Sequence, residues 1–198
     1  MTWITTLDDL QSHYGPAHAA ALAKVAPHLT PSYRAFLDRS RFCVMSTVGP
    51  EGTDGTPRGD QGPVVTVLDP KTLALPDWSG NQRIDSLRNI LRDGRVSLMF
   101  LVPGSTLALR INGTARVTAD PAFCQSFIRH DKQPNTIIVI RIVEVYIQCA
   151  RALQRSELWT TGDLTEGLPS ISTMIQQASE GQIDATPDDT DRALPGWW

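Results

Sequence analysis

Residues 106–119 read TLALRINGTARVTA, and residues 135–150 read NTIIVIRIVEVYIQCA. In the first stretch Leu107, Leu109, Ile111, Ala115 and Val117 fall on one side of an extended chain. Arg110, Asn112, Thr114 and Arg116 fall on the other. That period of two marks a half-buried strand, because successive side chains of a strand alternate between faces. The second stretch predicts a strand of roughly fourteen residues. Most strands span about five or six residues, and strands this long coil around one another, which suggests a barrel.

Working outward, four more runs read as strands: FCVMSTV (42–48), PVVTVLD (63–69), TLALPD (72–77) and RVSLMFLV (95–102). PVVTVLD is apolar on both faces, the pattern of a strand covered on both sides. GPEGTDGTPRGDQG (49–62), rich in Gly and Pro, reads as a long loop. WSGNQRIDSLRNILRDG (78–94) reads as a loop running into a helix, and Asp120-Pro121 opens a short helix reaching about His130. The expected fold is mainly β with peripheral helices: a six-stranded antiparallel barrel over residues 42–160. Residues 1–41 form a helical segment packed on it, with starts at Thr6, Pro16 and Thr30-Pro31. Residues 161–198 supply an amphipathic helix and an acidic tail whose terminal tryptophans, Trp197 and Trp198, are expected to dock on a surface.

The chain has 198 residues, 41% of them hydrophobic and 20% charged, an ordinary balance for a folded domain. Its net charge of −3 gives no basic footprint, which disfavours a nucleic-acid partner. No apolar run is long enough to span a membrane, and MTWITTLDDL lacks the basic start of a signal peptide, so a cytoplasmic location is expected. Cys43, Cys124 and Cys149 are widely spaced in apolar settings and read as buried, inert thiols. They and the four histidines match no metal-ligand spacing.

The chemistry concentrates between residues 56 and 91. Arg58 follows a Gly-rich stretch at the mouth of a strand. Arg83 lies at the start of a helix with an expected apolar stripe of Ile84, Leu87, Ile90 and Leu91, and Ser86 stands three residues on. A helix N-terminus after Ser79-Gly80-Asn81 offers backbone N–H groups and a favourable dipole to an anion. Two arginines and a hydroxyl there suit a phosphate. The competing reading pairs Arg83 with Asp85 or Asp77 on a solvated face.

TPRGDQGPVVTVLD (56–69), LPDWSGNQRIDSLRNIL (75–91), RVSLMFLVPG (95–104) and LRINGTAR (109–116) together resemble the pyridoxamine 5′-phosphate oxidase-related family of FMN-binding split barrels. CARALQRSELW (149–159) is similar to the end of an uncharacterised branch of that family. The resemblance implies a homodimer with FMN lodged at the subunit interface. Carried over by position, it makes Arg58, Arg83 and Ser86 the phosphate ligands, and sets Gly59 and Asp60 beside the flavin ring. It places Pro76, Asp77 and Asn81 around the ribityl chain. Arg110, Arg155 and Trp159 would reach across from the partner subunit.

True vitamin B6 oxidases carry a Tyr-x-x-x-Arg-x-x-x-Ser pattern on the helix after the fourth strand, and here that helix reads AFCQSFIRH (122–130). Their Arg-x-His element is absent too, since Thr160 and Thr161 follow Trp159. The resemblance therefore implies an FMN-dependent oxidoreductase acting on another small molecule, with NAD(P)H as one candidate donor. Its catalytic residues are not assigned. The alternative is a non-catalytic flavin carrier or redox sensor, and a third reading keeps the barrel for another cofactor such as haem or a deazaflavin.

Overall fold

A computed structural model describes residues 1–149 and 151–183, so the Trp-ended tail lies outside the described residues. The strands are β1 (Phe42–Gly49), β2 (Gly52–Gly59), β3 (Thr66–Asp69), β4 (Thr72–Asp77), β5 (Arg95–Leu101), β6 (Leu107–Thr118) and β7 (Thr136–Cys149). They form one antiparallel sheet in the order β2-β1-β5-β6-β7-β4-β3. Inward residues from strands far apart in this order share a single cluster, Cys43 and Met45 with Leu73, Leu75, Leu98, Ile111 and Ile140. A flat sheet cannot bring those residues together. The sheet is therefore curled into a barrel around them, and Arg58 of β2 closes onto Asp77 of β4.

The strand count is seven, not six. The stretch read as a loop contains β2, which pairs with β1 from Phe42↔Gly59 to Gly49↔Gly52. Its glycines and Pro57 hide the strand from a propensity reading. They are tolerated because β2 is an edge strand, where a missing N–H need not break a ladder. β3 is shorter than expected: Val64 and Val65 are buried ahead of it, but Leu68 is exposed.

The helices are α1 (Leu7–Ser12), α2 (Ala19–Ala23), α3 (Pro31–Leu37), α4 (Asp85–Arg92), α5 (Pro121–Gln125), α6 (Arg151–Arg155) and α7 (Ile171–Ala178). Thr30 caps α3, its Oγ1 accepting from the Tyr33 N–H at 3.2 Å, with Pro31 in the first turn. α2 starts at His18 rather than at Pro16. α3 buries Leu37, whereas α1 and α2 bury no residue. Short α5 covers the outer side of Ile137 and Ala74 through Cys124 and Phe127, so both faces of the sheet are sealed there. No helix among the described residues is long and apolar enough to cross a membrane.

α4 is turned from the expected stripe. It buries Ser86, Asn89 and Ile90 and leaves Ile84 and Leu91 exposed. The cause is polar: the Asn89 amide donates to Thr47 Oγ1 at 3.1 Å inside the protein, and Ser86 turns toward β2. These two hydrogen bonds, one buried and one part-buried, offset the exposure of two aliphatic side chains.

Candidate functional site

A cleft of about 800 Å³ lies between β2, the segment Asp77–Ile84 and the first turn of α4. Its size falls within the range of roughly 300–1,000 Å³ typical of small-molecule sites. β2 lines the cleft from Asp54 to Arg58, with Asp54, Thr56 and Arg58 the less exposed residues of the run. Strand pairing delivers Asp77 from the end of β4 and Thr136 from the start of β7, directly opposite each other. In the loop, Gln82 and Ile84 adopt φ of 63° and 52°. Left-handed backbone at non-glycine residues is costly, and such strain clusters at functional sites. Ile84 offers no side-chain cap, so the first N–H groups of α4 stay open for an acceptor.

Arg58, Arg83 and Ser86 each face a carboxylate. Arg58 Nη1 meets Asp77 Oδ1 at 2.5 Å, Arg83 Nη2 meets Asp85 Oδ2 at 2.8 Å, and the Ser86 hydroxyl donates to Asp54 Oδ2 at 2.5 Å. The competing reading of Arg83 as the partner of Asp85 is thus present in this structure. Arg58 is mostly buried, while the Arg83 side chain is 77% exposed at the mouth. Arg58 and Thr136 line the cleft, and one buried side-chain atom of each, Arg58 Nε and Thr136 Oγ1, has no hydrogen-bond partner. Behind Arg58, Cys43 is its direct partner across β1 and β2, and burial pushes that thiol up to about 12 against the pull of Arg58. Such a thiol is inert at neutral pH. Cys124 is also buried, but Cys149 is exposed, contrary to the expectation for all three.

The cleft brings together Arg58, Asp77, Asn81, Arg83 and Ser86. It does not include the other expected residues. Gly59 ends β2 opposite Phe42. Asp60 is withdrawn into an ion pair with Arg129, its carboxylate almost fully buried. Pro76 is buried opposite Ile137, beyond the reach of β3, where its missing N–H costs nothing. Arg110 points outward from β6, with its guanidinium 5.3 Å from the Tyr146 ring centre. Trp159 donates its Nε1–H to the Ser105 carbonyl at 3.0 Å, and Arg155 is exposed on α6. Sequence reasoning missed Asp54, Asn135 and Thr136, which also line the cleft. The alternation Asp54-x-Thr56-x-Arg58 was the available signal for the first of these. Thr136 carries none, since only the register of β7 against Asp77 puts it there.

Arg129 and His130, which follow α5, are both engaged. Phe123 and Phe127 pack edge to face at 5.1 Å, Arg129 is held by Asp60, and His130 lies 3.2 Å from Gln61 Oε1.

Residues 29–149 match the sequence model of pyridoxamine 5′-phosphate oxidase, and the chain belongs to that family. Among solved structures, HupZ of Group A Streptococcus is similar, with a TM-score of 0.50 and 18% identity over 62% of this chain and 95% of its own. A candidate pyridoxamine 5′-phosphate oxidase of Lactobacillus delbrueckii shares 26% identity over 61% of this chain and 95% of its own, with a TM-score of 0.48. No curated protein matches the chain.

Proposed function

We propose that this chain is an FMN-binding flavoprotein and an oxidoreductase for a small molecule other than a vitamin B6 phosphate. The observation that carries the reading is the convergence of Arg58, Asp77, Asn81, Arg83 and Ser86 on one cleft at an uncapped helix start. Arg83, Ser86 and the open N–H groups of α4 hold the phosphate, where charge-assisted hydrogen bonds and the helix dipole favour an anion. Arg58 lines the cleft and its Nε is buried without a hydrogen-bond partner, which supports a polar ligand there. When bound, FMN supplies the hydride and electron transfer, and the protein supplies binding, orientation and exclusion of water. Arg129 is tied to an almost fully buried Asp60, which supports a substrate without a phosphate anchored there.

The same reading includes a homodimer with the flavin at its interface. On the outer face of the sheet Val44, Met99, Arg110 and Tyr146 lie in one rank across β1, β5, β6 and β7. Phe42 and Met99 are exposed on that face. Arg110, turned away from its own cleft, is then available to the partner's. NAD(P)H is the proposed donor.

The test is to purify the full chain, identify any bound chromophore and titrate the flavin-free protein with FMN. Saturable one-to-one binding at micromolar affinity or tighter is expected, followed by oxidation of NAD(P)H in its presence. A chain that takes up no FMN refutes the reading. One that binds FMN but turns over no donor is a carrier or sensor.

A further inference from the structure

Residues 1–23 are exposed throughout, although they carry Trp3, Ile4, Leu7, Leu10, Tyr14 and Leu22. They include α1 and α2, of six and five residues, and neither helix buries a side chain. Isolated helices shorter than about 12–15 residues are marginal in water, and a contiguous exposed apolar patch marks a contact surface. Such an arm needs a surface to lie on. Its root is fixed: Ala26 and Val145 exchange backbone hydrogen bonds, and the Lys24 ammonium lies 5.7 Å from the Tyr146 ring centre. Tyr146 stands at the β7 end of the outer rank that holds Val44, Met99 and Arg110. The arm therefore departs from the surface where the second copy is placed.

We propose that this arm crosses to a second copy of the chain, where Leu7 and Leu10 pack on the outer face of β6 and β7. This rests on the homodimer reading. Charge selects the occupant as well as place does. Leu7 and Leu10 share one side of α1, and Asp8 and Asp9 fall about 100° to either side of them. These two aspartates are the only Asp, Glu, Lys or Arg within residues 1–23. β6 and β7 carry Arg110, Arg116 and Arg141 against Glu144, and the Asn112 amide already holds Glu144 at 2.7 Å. Arg116 and Arg141 are exposed, and exposed Val143 on β7 gives the leucines an apolar landing. A helix with an apolar centre and acidic flanks thus meets a basic surface. About a two-fold axis the exchange is reciprocal, each copy giving one arm and receiving the other.

The experiment keeps the full chain and measures the monomer–dimer dissociation constant by sedimentation over a dilution series. Leu7→Ser with Leu10→Ser should weaken the dimer at least about 10-fold, because the burial of two leucines is lost. Asp8→Lys with Asp9→Lys should weaken it about 3- to 30-fold, and adding Arg116→Glu with Arg141→Glu should restore it to within about threefold. Diluted to monomer, the leucine variant should melt within about 2 °C of wild type, since α1 buries nothing on its own barrel. A wild-type dimer that the leucine changes leave intact would overturn the exchange. So would charge reversals that have no effect or are not rescued, or a diluted leucine variant that melts lower. In each case the dimer itself would stand. A wild type that stays monomeric would overturn the dimer reading, and the exchange with it.

Discussion

At the scale of single residues, Arg83 and Cys43 give opposite predictions. Arg83→Ala should cost folding little, because an exposed ion pair such as Arg83–Asp85 contributes roughly 0–1 kcal/mol. It should cost FMN binding about 1.5–3 kcal/mol, or roughly 10- to 150-fold, since a charge-assisted bond to the phosphate disappears. Titration of the variant with FMN beside its urea midpoint separates the two effects, and an unchanged FMN affinity would refute the phosphate role. Cys43 is fully buried, and burial raises its thiol from 9.0 to about 12. The folded protein then holds a proton that the unfolded chain releases above about pH 9. Stability from this thiol is complete below pH 9 and falls by about 1.4 kcal/mol per pH unit until the folded thiol also ionises. Denaturant midpoints from pH 8 to 11 should therefore drop more steeply for wild type than for Cys43→Ala. Equal slopes would show that the thiol is not held protonated. Much of the site was legible at this scale. Arginine, serine and glycine around a helix start drew attention to this stretch, and five expected residues line the cleft. The aspartates opposite them were less visible, because an acidic side chain in a Gly-rich stretch looks like any solvated loop residue.

Among elements, the β6–β7 pair is the least forgiving. Its register shifts between Asn112 and Gly113, and a Cβ on Gly113 would overlap the Arg141 carbonyl on the neighbouring strand. Backbone cannot step aside as a side chain can, so Gly113→Ala should destabilise by at least about 2–3 kcal/mol. Gly55 on β2 has nothing within 4 Å of the same added atom, and Gly55→Ala should change stability by less than about 1 kcal/mol. Urea unfolding of the two variants checks the pair, and similar midpoints would contradict the described packing. The clean alternation of Ile111 and Ala115 with Arg110 and Thr114 made β6 readable from sequence alone. β2 was hidden, since an edge strand gains its hydrogen bonds from β1 and can dispense with β-branched residues. The rotation of α4 was hidden for a related reason. Hydrophobicity alone cannot foresee that Asn89 finds Thr47 inside the protein.

For the whole molecule, the outer rank of Val44, Met99, Arg110 and Tyr146 is the proposed meeting surface of two copies. Placing a charge at Met99 should be costly there and nearly free on a monomer, where the residue is already 40% exposed. Light scattering should report about twice 21.7 kDa for wild type and a shift toward monomer for Met99→Glu, with FMN retention falling in parallel. A wild-type monomer that keeps stoichiometric FMN would remove the dimer from the reading. The matched charges of the cleft carry a last consequence. With Arg58 on Asp77 and Arg83 on Asp85, a free inorganic phosphate or sulfate that enters merely trades one counter-ion for another. It gains less by the exchange than it would from unpaired arginines. A molecule grasped at several points along its length recovers that loss elsewhere, so the built-in carboxylates act as competitors that keep small anions from silting up the cleft.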